Sequence, residues 1–258
     1  MNFVILGSSS SGNSSLFFDE KRLILLDCGH SYKYIREKLH ELSLSDRKID
    51  FIILTHEHVD HIRSLKTFIL RENPVIFSTK GTVDGAVRGL KIEDGNFNIF
   101  KPGDMFEIGK VKVESFIIPH DTPEPCGFKF KINGKTLSYA LDLGYLTELV
   151  KYKLEGANYL VLESNYDEEL LTEGPYPLST KYRIKNRLGH LSNNDVASFF
   201  KNEFDGKCEK IFLGHISRTN NTHSIVYKNA LSVLKTRFKK DFSLECILPK
   251  KISQIITF

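Results

Sequence analysis

The sequence predicts an α/β fold, a four-layer αββα sandwich, and three observations lead there. Short apolar runs that read as buried strands alternate with amphipathic stretches, a pattern that lays helices on the faces of sheets. No repeat, low-complexity tract or linker divides the 258 residues, so one domain over residues 1–258 is expected. Side chains that bind metals recur just after apolar runs, and the carboxyl ends of strands are where reacting groups collect in such folds.

Residues 3–6, 16–18 and 23–26 read as three short strands. Residues 7–15, between the first two, are all Gly, Ser or Asn. Such a stretch either offers backbone N–H groups and hydroxyls, Ser9 among them, to an anion, or closes a tight hairpin. Asp27 ends the third strand, where it either orients a metal-bound histidine or caps a turn. Ser31 opens a helix with Ile35, Leu39 and Leu42 on one face. Residues 51–54 form a buried strand that delivers His56-Glu57-His58-Val59-Asp60-His61, and the next helix carries Ile62, Leu65, Phe68 and Ile69. A strand at 75–77 leads to a helix over 79–90, weakened by Gly81, Gly85 and Gly89.

From residue 97 the period changes to two. Val111 and Val113 alternate with lysines in a strand that runs on through 116–118. Phe128, Phe130 and Ile132 alternate with Lys129 and Lys131, and Asn133-Gly134 turns the chain into a strand at 136–140. These lysines read as solvated strand faces. Residues 159–162 make a strand ending in Glu163. Ser192 and Asp195 form a capping box for a helix that turns Val196, Phe199 and Phe200 to the core. A strand at 211–214 delivers His215, a helix spans 222–238, and strands near 244–248 and 252–258 close the chain.

A net charge of +4 is mildly basic and compatible with an anionic substrate. The four cysteines, Cys28, Cys126, Cys208 and Cys246, form no C-x-x-C pair and read as reduced thiols of a cytoplasmic protein. The first residues lack a basic segment of signal-peptide type, and no stretch is long and apolar enough for a bilayer, so no membrane partner is expected.

His56 and His58 are two apart, so both imidazoles point the same way in an extended segment. Imidazole with carboxylate suits zinc, manganese or iron, and the four ligands of this short motif can begin two adjacent metal sites. His120, Asp142 and His215 follow downstream, each just past a strand.

This ordered set resembles the metallo-β-lactamase superfamily, and the resemblance spans essentially the whole chain. It implies a fold of metallo-β-lactamase type with two divalent metal ions. His56, His58 and His120 would hold one, Asp60, His61 and His215 the other, and Asp142 would bridge them. Ser64 stands where many members have glycine, which leaves the helix start open to a shift. Residues 7–15, Gly174-Pro175-Tyr176-Pro177, Gly189-His190-Leu191-Ser192-Asn193 and Leu213-Gly214-His215-Ile216-Ser217-Arg218 with Asn220-Asn221 look like the WalJ (YycJ) family of compact bacterial DNA exonucleases. Glu163 and His190 also sit where ribonuclease Z-type enzymes place an acid–base pair. The interval from His120 to Asp142 leaves no room for an RNA-gripping arm, and that from Asp142 to His215 none for an inserted β-CASP domain.

The resemblance therefore implies a dinuclear metal-dependent hydrolase, a phosphodiesterase or nuclease of 5′-to-3′ DNA exonuclease type. Two divalent cations outweigh the ligand carboxylates, which favours a bridging hydroxide and in-line attack on phosphorus. A sugar alkoxide leaves poorly without an acid, and His190 oriented by Glu163 is the candidate, so Asp60, Glu163 and His190 carry the catalytic assignment. Lys181, Arg183, Lys185 and Arg187 are expected to meet phosphates and Arg218 a terminal phosphate, with Ser9 and Asn221 as further substrate contacts. The alternatives are a thioester or lactone hydrolase of glyoxalase II type and a non-catalytic metal-binding module. Relatives of the first kind usually add a carboxyl-terminal region, and little chain follows His215. The complete ligand set argues against the second.

Overall fold

Two sheets order the molecule, each built mainly by its own stretch of chain. The structure, a computed structural model, describes residues 1–93 and 95–258. It divides into two units, one of Met1–Pro102, Thr122–Pro125 and Leu248–Phe258, the other of Gly103–Asp121 and Cys126–Ile247.

The first unit runs β1 (Asn2–Ser9), β2 (Gly12–Phe18), β3 (Leu23–Leu26), α1 (Tyr32–Glu41), β4 (Phe51–Ile53), α2 (Val59–Ile62), α3 (Leu65–Glu72), β5 (Val75–Thr79), α4 (Lys80–Leu90) and β6 (Asn96–Phe100). The strands from β1 to β3 are antiparallel neighbours and those from β3 to β6 are parallel. Val4, Leu6, Leu16, Leu25, Ile52 and Ile76 from the strands meet Ile35 and Leu39 of α1, Leu65 and Phe68 of α3, and Ala86 of α4. Each fully buried large side chain contributes about 1.5–3 kcal/mol.

Two expectations change here. The small-residue stretch 7–15 is mostly strand, because β1 continues to Ser9 and β2 begins at Gly12, with Ser8 opposite Asn13. The tight-hairpin reading is the one observed, with the strand pairing interrupted only between Ile5 and Gly7. The helix after the histidine motif is two helices. Both the N–H and the Oγ of buried Ser64 donate to the Cys28 carbonyl, at 3.0 and 2.8 Å, and this pull ends α2 and starts α3.

The second unit runs β7 (Met105–Ile108), β8 (Val111–Ile117), β9 (Cys126–Ile132), β10 (Lys135–Ala140), α5 (Glu148–Leu154), β11 (Tyr159–Glu163), α6 (Glu168–Glu173), α7 (Leu178–Lys185), α8 (Asn193–Asn202), β12 (Lys210–Gly214), α9 (His223–Phe238) and β13 (Leu244–Cys246). The closing strand, β14 (Ile256–Thr257), belongs to the first unit and pairs with β1. The second sheet has the order β13-β12-β11-β10-β9-β8-β7. Asn133 and Gly134 both take positive φ, as the expected two-residue hairpin requires. The capping box at Ser192 and Asp195 forms. β10, β11, β12 and β13 are parallel, so Asp142, Glu163 and His215 leave neighbouring strands at the same edge.

Candidate metal centre

In the first unit one buried carboxylate organises the motif. Asp27 accepts the Thr55 N–H at 2.9 Å, the Thr55 hydroxyl at 2.9 Å and His61 Nδ1 at 2.8 Å. Because the Thr55 hydroxyl is spent on Asp27, His56 Nδ1, 3.0 Å from Thr55 Oγ1, is the donor there. Both rings are thus fixed with hydrogen on Nδ1, which leaves Nε2 with the lone pair a cation needs. Asn13 agrees with this tautomer, since its amide nitrogen lies 3.0 Å from His61 Nε2 and 3.3 Å from Asp60 Oδ2. The His56 ring lies 4.8 Å from that of His58 and 4.1 Å from that of His61. Burial raises the Asp27 carboxyl above its usual pKa, although His61 and Thr55 pull the other way.

The second unit repeats the device with Glu163. Its Oε1 accepts His190 Nδ1 at 2.8 Å and His215 Nδ1 at 2.7 Å, while Oε2 accepts the N–H groups of Leu143 and Leu191 at 3.0 and 3.1 Å. Burial alone would push this carboxyl up. The His190 charge and the bonds from both imidazoles outweigh it and hold Glu163 below the usual carboxylate range. Asp142 Oδ1 lies 3.1 Å from His215 Nδ1 and 3.6 Å from His190 Nδ1. The carried-over roles separate metal ligands from an acid–base pair, whereas the structure gathers Asp142, Glu163, His190 and His215 into one cluster of ligand atoms. His120 Nδ1 lies 3.2 Å from the Gly189 carbonyl, which again leaves Nε2 for coordination. Burial lowers the His120 pKa and so favours the neutral ring.

The backbone adds an independent sign. Asp27, Asp142 and His215, at φ of 57°, 58° and 51°, all take the left-handed conformation just past strands β3, β10 and β12. For an L-residue this costs about 1–2 kcal/mol, and such strain persists where the surroundings over-determine it, typically at working sites. Asn165 supplies part of that constraint at His215, donating to its carbonyl at 2.8 Å.

Two of the expected substrate contacts, Ser9 and Asn221, lie inside the protein. Ser9 is buried and shares its hydroxyl with Ser11 at 2.8 Å. Asn221 is buried too, with its amide donating to the Ser164 and Asn165 carbonyls and to Asn193, so it braces the loop behind Glu163 instead of facing solvent. The cations around α7 have intramolecular partners. Lys181 and Lys185 both donate to Thr172, Arg183 pairs with Asp121 at 2.7 Å, and the Arg187 guanidinium lies 4.4 Å from the Tyr145 ring centre. Arg218 is exposed, close after His215.

A family model described as a beta-lactamase superfamily domain matches residues 22–203. The chain belongs to the metallo-β-lactamase superfamily. Within it the chain is 31% identical over 239 residues to the exodeoxyribonuclease YycJ of Bacillus anthracis, covering 92% of this chain and 90% of that one. It is likewise 31% identical to the exodeoxyribonuclease WalJ of Streptococcus pneumoniae, with 90% and 87% covered. These likenesses place it in the YycJ/WalJ family. The metallo-β-lactamase fold protein YhfI of Bacillus subtilis has the same fold at a TM-score of 0.74, 16% identity and 98% coverage of both chains. Zn2+-bound PqqB of Methylobacterium extorquens follows at 0.71, 18% identity, and 98% and 100% coverage. The expected fold class is thereby shown, and this superfamily member is a metal-dependent hydrolase.

Its donor set fits divalent cations, because imidazoles held through Nδ1 on buried carboxylates recur in both units. Thr55, Asn13 and Asn165 were missed in the sequence. Thr55 directly precedes the first histidine, and Asn13 is the only amide within the Gly/Ser stretch, so each left a faint signal.

Proposed function

We propose that this chain is a dinuclear phosphodiesterase that shortens DNA from the 5′ end. The observation that carries the reading is Glu163, a buried carboxylate that accepts both His190 and His215 beside Asp142. The full-length likeness to YycJ and WalJ supports the choice of DNA. Two zinc, manganese or iron ions, with His56, His58, Asp60, His61, His120, Asp142 and His215 as ligands, would supply Lewis acidity and draw the phosphodiester in.

The chain's own residues do the rest. With Nδ1–H held on Glu163, His190 has only Nε2 from which to give a proton to the departing sugar oxygen. Its ring is partly exposed, as a group that meets substrate must be. Asp27 and Thr55 hold two imidazoles against rotation, so the ligand set is pre-oriented. Lys181, Arg183, Lys185 and Arg187 border His190 in sequence and are the proposed phosphate contacts, with Arg218 for a terminal phosphate. The two units work as one domain in this reading. No helix among the described residues is long and apolar enough to cross a membrane. The described cysteines are free thiols, in keeping with the cytoplasmic setting proposed here.

The test is digestion of end-labelled single- and double-stranded DNA and RNA by metal-reconstituted protein. DNA should shorten progressively from its 5′ end and a chelator should stop it. Intact nucleic acid alongside rapid cleavage of a thioester or lactone would overturn the reading.

A further inference from the structure

Helix α7 is unusual within its unit, because none of its eight residues is buried. Its position is nevertheless fixed. Lys181 and Lys185 straddle Thr172, reaching its carbonyl at 2.7 Å and its hydroxyl at 3.0 Å. Arg183 Nε and Nη2 both bind Asp121, at 2.8 and 2.7 Å. The helix also runs straight into the site. His190 N–H donates to the Ile184 carbonyl at 3.0 Å, and a Cβ on Gly189 would come within 2.2 Å of that same oxygen, so only glycine permits the turn. Whatever binds α7 is therefore mechanically close to His190.

Leu178, Lys181, Tyr182 and Lys185 stand at i, i+3, i+4 and i+7, which puts them on one stripe of the helix. Leu178 is 69% exposed and Tyr182 72% exposed, large apolar surface that the fold itself does not cover. Two ammonium groups share the stripe, so its partner carries negative charge next to a flat apolar group. A nucleotide is that combination, with phosphate for the lysines and a base face for the phenol ring. A base inside a duplex keeps both faces stacked, whereas an unpaired base offers an open face to Tyr182.

We propose that the outer stripe of α7 is a platform for an unpaired nucleotide, with Tyr182 stacking its base and Lys181 and Lys185 facing its phosphate. The inference rests on the nuclease reading and sharpens it. The substrate end that reaches His190 is single-stranded or frayed, and Tyr182 selects it.

The test uses nuclease-resistant phosphorothioate oligonucleotides that carry either 2-aminopurine or an abasic site near the 5′ end. Wild-type protein should quench the 2-aminopurine on binding and bind the abasic strand roughly tenfold more weakly. Tyr182→Ala should lose roughly tenfold on the 2-aminopurine strand and nothing further on the abasic one, whereas Tyr182→Phe should keep both affinity and quenching. Because α7 buries nothing, the thermal melt of Tyr182→Ala should match that of wild type, and the wild-type comparison of the two strands stands even if it does not. Wild-type protein that binds both strands equally, or a Tyr182→Ala loss of the same size on both, would overturn the platform alone. Failure of wild-type protein to bind either strand would overturn the nuclease reading and the platform with it.

Discussion

The two histidine clusters use one device, a buried carboxylate that holds imidazoles by Nδ1 so that Nε2 is left for coordination, yet they are assembled differently. In the first unit the ligands come from one short motif after β4, and Asp27 reaches His61 directly but His56 only through Thr55. In the second unit the residues are scattered from His120 to His215, and Asp142, Glu163 and His215 meet because parallel strands end at one edge. There Glu163 accepts two imidazoles and two backbone N–H groups at once. Asp27 therefore tunes a cluster that its own loop already forms, whereas Glu163 creates one. The second site should be the more fragile.

The largest effect should follow Glu163→Ala, which strands two imidazoles and two buried N–H groups together. Turnover should fall roughly a thousandfold or more, combining the loss of an oriented acid with loosened ligands. Retained activity in a steady-state assay would break the comparison. Next comes His190→Ala, expected to lower turnover on DNA by roughly a hundredfold while elemental analysis finds the same metal content. A p-nitrophenyl phosphodiester needs no acid to expel its leaving group and should escape much of that loss. Equal damage on both substrates would make His190 a positioning residue.

Asp27→Asn should be milder. Asparagine also tolerates the left-handed backbone at this position, so the change removes the charge and one acceptor without adding backbone strain. Metal affinity, read by competition with a chelating dye, should weaken roughly ten- to a hundredfold. A larger loss here than from Glu163→Gln would reverse the ranking of the two carboxylates.

The smallest effect concerns His30, which lies in the first unit. It is buried, stacks on Tyr34 and bonds to Ser14 and the Pro249 carbonyl. Burial lowers its pKa from 6.5 to about 4. The unfolded chain therefore takes up the proton first as pH falls. Stability is intact above about pH 6.5 and is lost progressively down to about pH 4. Urea titrations should show wild-type protein losing about 1 kcal/mol more than His30→Gln between pH 7.5 and 5.5. Parallel pH profiles would contradict the assignment.

How much of this was legible in the sequence follows the same division between local and distant. The His56–His61 motif, the Ser192–Asp195 capping box and the Asn133-Gly134 turn are local signals, and the structure has a helix start or turn at the latter two. Ser64 could not be read as a helix break, because its partner, the Cys28 carbonyl, is distant in sequence. Residues 7–15 lack the β-branched and aromatic residues that announce a strand, and they pair only because β1 and β2 are drawn into a buried sheet. Helix α7 has no buried face, so it has no apolar period to detect. The burial of Ser9 and Asn221 is likewise a tertiary fact, invisible in residue type.

The most direct test of the central claim, that these clusters are ligand sets, is metal stoichiometry. Wild-type protein, reconstituted with zinc or manganese and freed of excess metal, should carry close to two ions per chain by elemental analysis. His58→Ala and Asp142→Ala, each removing one proposed ligand, should carry fewer and lose activity in step. Wild-type protein that retains no metal, or variants that retain as much as wild type, would contradict the account.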